Sequence, residues 1–317
     1  MAIAISLVIV GFIALIFGAN WLVSGAASLA KKHHIPDLVV GLTIVAFGTS
    51  APELVVSTLA ASSGAPDIAL GNVIGSNNFN LFIILGLSGV VFPMVVKPSS
   101  AWYEIPMSLL AAIVLFLLAN GFFIFSENEI SRVDAFILLI GFGLFMGYIV
   151  RQTRKGAIPE EIPDVVHSNI RIWIYIVLGL GGLVLGGTLV VENSVKIAEI
   201  LGISEKIIGL TIVAAGTSLP ELATSVTAAF KRNGDIAIGN VIGSNIFNIL
   251  LILSVSGLIH PMQYNPSFNT DMYILFGGTV FLFASLFVGK RYQIARWQAF
   301  LMLIFYIGYT VYLVRQA

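Results

Sequence analysis

Two stretches of this chain are near copies of each other. The first reads Gly41-Leu-Thr-Ile-Val-Ala-Phe-Gly-Thr-Ser-Ala-Pro-Glu53 and is followed by Asp67-Ile-Ala-Leu-Gly-Asn-Val-Ile-Gly-Ser-Asn-Asn-Phe-Asn80. The second reads Gly209-Leu-Thr-Ile-Val-Ala-Ala-Gly-Thr-Ser-Leu-Pro-Glu221, followed by Asp235-Ile-Ala-Ile-Gly-Asn-Val-Ile-Gly-Ser-Asn-Ile-Phe-Asn248. They lie 168 residues apart (209 − 41). The repetition extends beyond them. Gly11 and Gly18 match Gly179 and Gly186, and Ser88 to Met94 matches Ser256 to Met262 at the same offset. Near the end of each half the offset becomes 164, pairing Arg132-Val-Asp-Ala-Phe136 with Arg296-Trp-Gln-Ala-Phe300. The chain is therefore two related halves.

What surrounds the copies is apolar. Hydrophobic residues make up 58% of the chain and charged residues 10%, where a soluble domain carries about 25% charged. Apolar runs of about 20 residues, long enough for a ~30 Å hydrocarbon core, recur throughout. The ~10-residue alternation of a membrane β-barrel is absent. The expected fold is an all-α polytopic membrane protein with ten transmembrane helices, at 3–30, 37–62, 67–92, 102–120, 131–150, 170–197, 205–230, 235–259, 270–289 and 295–315. Residues 1–150 form the first five-helix repeat, 151–169 a cytoplasmic linker with Pro159 and Pro163, and 170–317 the second. An odd number of spans per half places the second repeat upside down. That is the inverted-repeat plan of many transporters, whose sites lie near the midplane.

Lys and Arg orient the chain. The odd-numbered loops hold Lys31, Lys32, Lys97, Arg151, Arg154, Lys155, Arg171, Lys231, Arg232, Lys290, Arg291 and Arg296. The even loops and C-terminus hold Arg132, Lys196, Lys206 and Arg315. The bias predicts odd loops in the cytoplasm and both termini outside a cell membrane. The N-terminal run lacks a basic n-region and is too long for a signal peptide, so it reads as the first span. With no cysteine, thiol catalysis, disulfides and thiolate metal sites are excluded. A net charge of zero lends no support to a nucleic-acid partner.

The repeated stretches carry the chemistry. Pro52 and Pro220 fall within apolar spans, remove an N–H and clash with the carbonyl four residues back. Those residues are Gly48 and Gly216, weak helix formers themselves. A broken helix is expected at each, freeing the carbonyls of Ala46 to Thr49 and of Ala214 to Thr217. Free carbonyls at membrane depth persist only where they line a cavity or meet an ion. Thr49, Ser50, Thr217 and Ser218 add hydroxyls, and Glu53 and Glu221 follow directly. Asn80 and Asn248 supply amide oxygens, with Ser76 and Ser244 four residues earlier on the same helix face. Two carboxylates, two amides, six hydroxyls and several carbonyls form a hard oxygen set, suited to Ca²⁺ with its 6–8 ligands. Zinc is disfavoured, since no His or Cys is near. Two ionised glutamates inside a bilayer cost about 3 kcal/mol each on the lenient insertion scale. One Ca²⁺, two monovalent cations or two protons would neutralise them, and a site loaded alternately in these ways exchanges ions.

Gly-Thr-Ser-x-Pro-Glu and Gly-Asn-Val-Ile-Gly-Ser-Asn-x-Phe-Asn, each present twice, resemble the α-repeats of the sodium/calcium exchanger family, and the resemblance covers essentially the whole chain. It implies ten spans in inverted halves with outside termini. It implies Ca²⁺ at Glu53 and Glu221 with the carbonyls of Thr49 and Thr217. Na⁺ positions would fall at Ala46, Thr49, Ser50, Ser76, Ala214, Thr217, Ser218 and Ser244, with Asn80 and Asn248 central. Spans one and six resemble that family's sliding gate helices. Asn248 stands where some members, including K⁺-dependent ones, carry Asp, which points to K⁺-independent Na⁺/Ca²⁺ antiport; with about three Na⁺ for one Ca²⁺ the cycle is electrogenic, worth about 2.3 kcal/mol per 100 mV. The short central linker resembles compact prokaryotic members. Ca²⁺ and Na⁺ are then substrates, no cofactor is implied, the bilayer is the surrounding partner, and a monomer suffices.

Other readings use the same residues. Ca²⁺/H⁺ exchange would employ the same glutamates. An intramembrane acid–base enzyme is disfavoured by the absence of a nearby His and by two near-identical half-sites. A passive channel would need no counter-ion. Asn72, Asn77, Asn240 and Asn245 read as helix-packing residues, and His33 and His34 beside Lys31 and Lys32 as a basic helix end.

Overall fold

The computed structural model describes residues 1–122, 128–154, 168–200 and 214–316. The helices are α1 (Ala2–Lys32), α2 (Asp37–Thr49), α3 (Ala51–Ser62), α4 (Pro66–Val91), α5 (Ser100–Ala119), α6 (Arg132–Arg154), α7 (Asn169–Ile200), α8 (Ala214–Gly216), α9 (Leu219–Phe230), α10 (Gly234–Ile259), α11 (Asn269–Ser285) and α12 (Arg296–Gln316). Among the described residues, α1, α4, α5, α6, α7 and α10 are long and apolar enough to cross a membrane, and the bent pair α2/α3 makes a seventh such span. The first part of the expected span at 205–230, up to residue 213, lies outside the described residues, as do 155–167 of the expected linker.

Local signals explain where helices begin. Ser131 and Asp134 bond reciprocally at the start of α6: the Ser131 backbone N–H donates to Asp134 Oδ2 at 2.9 Å, and the Asp134 N–H to Ser131 Oγ at 3.2 Å. This is a capping box, in which two otherwise unpaired helix donors satisfy each other's side chains. At α12 Gln298 plays the acidic part, accepting from the Ala295 N–H at 2.8 Å. Asn233 caps α10 by accepting from the Ile236 N–H at 3.1 Å.

Burial orders the helices into layers. The apolar windows of α10 and α4 are 94% and 72% buried, whereas those of α1, α6 and α7 are 28–33% buried. The two helices carrying Asn80 and Asn248 are thus the centre of the bundle. The remaining helices offer one face to it and the other to lipid. Phe12, Ile16, Leu144, Leu185 and Phe305 are among the large apolar side chains left exposed.

Helices α1 and α7 pack on each other through glycine. A Cβ on Gly18 would lie 2.9 Å from the Gly179 carbonyl, and one on Gly11 2.9 Å from the Gly186 carbonyl. The repeated stripes of the sequence therefore meet at one backbone-to-backbone crossing, as small residues permit in membranes. Gly239 and Gly243 let α10 approach Leu38, Gly41 and Leu42 of α2 in the same way. The residues expected to play that part against Gly71 and Gly75 fall in 201–213, outside the described residues.

Two short ribbons tie the halves together. β1 (Met94–Val95) pairs antiparallel with β4 (Gln293–Ile294), and β2 (Glu129–Ile130) with β3 (Met262–Gln263). By the repeat offsets of 168 and 164, β1 corresponds to β3 and β2 to β4. Each ribbon is therefore the image of the other with the halves exchanged. One joins two odd-numbered loops and the other two even-numbered loops.

Candidate ion-binding site

The site begins at the proline breaks. Helix α2 ends at Thr49, Ser50 leaves helical geometry (φ −83°, ψ 7°), and α3 starts with Pro52 in its first turn. The two helices meet at a bend of 48°. Ser218 has nearly the same geometry (φ −87°, ψ 7°) before α9, where Pro220 repeats the arrangement. One expectation is corrected here. The Ala46 carbonyl is not freed by the break, because the Ser50 N–H still donates to it at 3.0 Å. Ala46 therefore offers an ion only the second lone pair of its oxygen.

Both acids are enclosed, with Glu53 and Glu221 each 1% exposed. Each is held by the opposite repeat. The Ser50 hydroxyl donates to Glu221 Oε1 at 2.8 Å and lies 3.0 Å from Ser244 Oγ. The Ser218 hydroxyl donates to Glu53 Oε1 at 3.1 Å and lies 3.0 Å from Ser76 Oγ. Ser76 and Ser244 stand 3.4 and 3.5 Å from the glutamate of their own half. Thr49 donates across the halves to Asn240 Oδ1, and Thr217 to Asn72 Oδ1, both at 3.1 Å. Neither half alone contains a complete constellation.

Asn80 and Asn248 open π turns, at Asn80–Ile84 and Asn248–Ile252, in the middle of α4 and α10. Such bulges are frequent at functional sites. Their orientation is dictated by the asparagines three residues before. The Asn245 amide N–H donates to the Asn77 carbonyl and the Asn77 amide N–H to the Asn245 carbonyl, both at 3.3 Å. Each leaves its side-chain oxygen as acceptor, for Asn80 Nδ2 at 3.1 Å and for Asn248 Nδ2 at 3.0 Å. With their N–H groups committed, Asn80 and Asn248 turn their oxygens away unpartnered.

Glu53 Oε2, Glu221 Oε2, Asn80 Oδ1 and Asn248 Oδ1 are among the buried oxygens without a hydrogen-bond partner, as are Asn78 Oδ1 and Glu104 Oε2 elsewhere. A buried polar atom left unpaired is costly, and its place in a native structure calls for a ligand or an unseen partner. Four oxygens related by one two-fold relation, two on glutamates held by serines of the opposite half and two on the paired asparagines, suit a cation. Among the described residues no group of three His, Cys, Asp or Glu forms a metal cluster. Two carboxylates must then share the work with neutral oxygens, which matches a hard cation better than a transition metal.

Of the twelve expected site residues, the structure joins Ser50, Glu221 and Ser244 in one cluster and Ser218, Glu53 and Ser76 in its counterpart, sets Thr49 and Thr217 on Asn240 and Asn72, has Ala46 accept from the Ser50 N–H, and places Asn80 and Asn248 on the asparagine pair. Ala214 opens α8, two residues before Gly216. Asn72, Asn77, Asn240 and Asn245 do more than pack helices. Asn72 and Asn240 brace Ser57 and Ser225 at 2.9 Å and reach the opposite threonine. Their spacing was a usable signal, since each lies one helical turn before Ser76 or Ser244.

Known proteins resemble this chain over nearly its whole length. The sequence profile described as "Sodium/calcium exchanger protein" matches residues 3–151 and 171–315. This chain belongs to the sodium/calcium exchanger family. It is 36% identical over 320 residues to the putative antiporter CaxA of Alkalimonas amylolytica, covering 98% of both chains. It is 33% identical to the sodium/calcium exchanger MaX1 of Methanosarcina acetivorans, covering 97% of both. It superposes on a solved structure of the sodium-calcium exchanger NCX_Mj, soaked with zero Na⁺ and Ca²⁺, with a TM-score of 0.83 at 35% identity, covering 99% of this chain and 100% of that one. Like these exchangers of similar length, it is a compact prokaryotic-type member of the family.

Proposed function

We propose that the chain is a secondary antiporter that exchanges Na⁺ for Ca²⁺ across the cell membrane by alternating access. The observation that carries the reading is the set of four unpartnered buried oxygens, Glu53 Oε2, Glu221 Oε2, Asn80 Oδ1 and Asn248 Oδ1. Ca²⁺ takes the two carboxylates, the carbonyls of Thr49 and Thr217, and oxygens from Asn80 and Asn248. Na⁺ takes the smaller cages around Ala46, Thr49, Ser50 and Ser244, and around Ala214, Thr217, Ser218 and Ser76. The hydroxyls serve both states. The Ser50 and Ser218 hydroxyls donate to Glu221 and Glu53. Rotation of each hydroxyl swaps a donor for lone pairs that face a cation.

The charge of the site explains obligatory exchange. Two bare carboxylates inside the bilayer are unfavourable by about 3 kcal/mol each, so the site changes sides loaded rather than empty. The ten-span, inverted five-helix arrangement is supported by the exchanged β ribbons and by the symmetric α1/α7 crossing. The charge bias supports odd loops in the cytoplasm and both termini outside. An amide at position 248, with no third acid, supports K⁺-independence. A cycle of three Na⁺ against one Ca²⁺ moves one net charge, worth about 2.3 kcal/mol per 100 mV.

The test is uptake of radiolabelled Ca²⁺ into Na⁺-loaded liposomes diluted into Na⁺-free medium. We expect uptake that needs internal Na⁺, is indifferent to K⁺, and disappears in Glu53→Gln and Glu221→Gln while both variants retain the wild-type gel-filtration profile. Wild-type uptake by either variant would overturn the assignment. Uptake driven by a pH gradient alone would transfer the same glutamates to Ca²⁺/H⁺ exchange.

A further inference from the structure

A second feature runs along α9 from Leu219 and Leu222 to Lys231 at its end. A groove of about 570 Å³ opens between α1, α4 and α9, lined by Phe12, Ile16, Leu87, Ala223, Val226 and Phe230 and ending at Lys231. The Lys231 ammonium donates to the Asn20 carbonyl at 2.9 Å and to Ser24 Oγ at 2.8 Å, both neutral groups of α1. Next to it, the Arg232 guanidinium lies 5.7 Å over the ring of Phe92, just past the end of α4. From α12, Arg296 reaches the Val91 carbonyl at 3.5 Å. Three cations thus gather around the ends of α4 and α9, on the side the charge bias assigns to the cytoplasm.

None of the three has a carboxylate partner among the described residues, where the one ion pair is Lys97–Asp235 at 2.6 Å. The nearby acids are engaged elsewhere: Asp235 with Lys97, and Asp37 with the Asn233 amide at 2.7 Å. Burial pulls the Lys231 ammonium below its ordinary pKa, the opposite of what a salt-bridged lysine shows.

We propose that this groove binds an anionic phospholipid, with the phosphodiester at Lys231, Arg232 and Arg296 and an acyl chain lying between α1 and α9. Basic rims beside membrane helices recognise anionic headgroups through the field of several cations together. A fatty acid would engage Lys231 and leave the two arginines unmatched. An acyl chain fills the groove in the way a lipid-exposed apolar surface requires, and the headgroup supplies the anion that this rim lacks.

The experiment is native mass spectrometry of delipidated protein in detergent, titrated separately with phosphatidylglycerol, phosphatidylcholine and oleate. It reads binding and does not depend on the transport assignment. We expect one phosphatidylglycerol retained in preference to the other two, with occupancy falling about fivefold for each of Lys231→Met, Arg232→Gln and Arg296→Gln. Ala223→Trp, which fills the groove, abolishes retention, and Lys290→Gln on the same face leaves it unchanged. Equal retention of phosphatidylcholine, occupancy unchanged in Lys231→Met, or oleate bound as well as phosphatidylglycerol would overturn the proposal.

Discussion

At the scale of single residues, the site is built from paired commitments. Asn245 gives its N–H groups to the Asn77 carbonyl and its oxygen to Asn80, which is what leaves the Asn80 oxygen available. Asn245→Leu would strand Asn80 Nδ2 and the Asn77 carbonyl, each unmade partner costing about 1–3 kcal/mol. We expect a lower melting temperature and an apparent Ca²⁺ affinity weakened at least about tenfold, since 1.4 kcal/mol is a decade. Asn248→Asp tests the charge argument differently. It adds a third acid to a site whose neutral state now needs one more positive charge. Exchange in this variant should become stimulated by K⁺ or by acid, and fall at alkaline pH when neither K⁺ nor protons neutralise the added carboxylate. Flux with the wild-type response to K⁺ and pH would count against Asn248 as the basis of the proposed K⁺-independence.

At the scale of elements, prolines and glycines set the geometry for opposite reasons. Pro52 and Pro220 prevent continuous helices and put Ser50 and Ser218 at the breaks. Pro52→Ala restores a donor for the Gly48 carbonyl and favours a straight helix. Thermal stability should hold or rise while Na⁺-dependent Ca²⁺ uptake falls, because Ser50 and Glu53 lose the bend that presents them to the other half. Gly18 acts by having no side chain. A methyl there would stand 2.8 Å from the Leu183 nitrogen and 2.9 Å from the Gly179 carbonyl, and backbone cannot rotate aside. Overpacking of this kind costs about 1–3 kcal/mol. Gly18→Ala should therefore lower the melting temperature in detergent, whereas Gly308→Ala, with open space at its Cβ position, should not. Of this scale, the breaks were legible in the sequence because proline acts locally. The π turns at Asn80 and Asn248 were not, because both segments read as ordinary apolar helix until their neighbours constrain them.

At the scale of the whole molecule, the two-fold relation organises the function. Ser50 serves Glu221 and Ser218 serves Glu53, so the proposed ion site lies at the contact between halves. Any rearrangement of one half against the other changes both hemispheres of the cage together. If three Na⁺ exchange for one Ca²⁺, the rate must respond to voltage. An inside-negative potential should speed Ca²⁺ extrusion coupled to Na⁺ entry and slow the reverse, as read by flux in liposomes clamped with valinomycin and K⁺. A rate independent of voltage would mean a neutral cycle of two Na⁺ per Ca²⁺.

The sequence by itself determined the duplication, the apolar spans, the proline breaks and the chemical type of the donors. Each of these rests on short-range sterics, on the burial of apolar residues in lipid, or on identity at a fixed offset. It also named the serines and glutamates that the structure brings into hydrogen bonds across the halves. Only the tertiary structure decided which glutamate each serine holds, which oxygen of Asn80 and Asn248 faces inward, and that four asparagines assigned to packing orient the rest. Hydrogen-bond partners 142 to 194 positions apart are selected by how two halves dock, and no local pattern in either half encodes that choice.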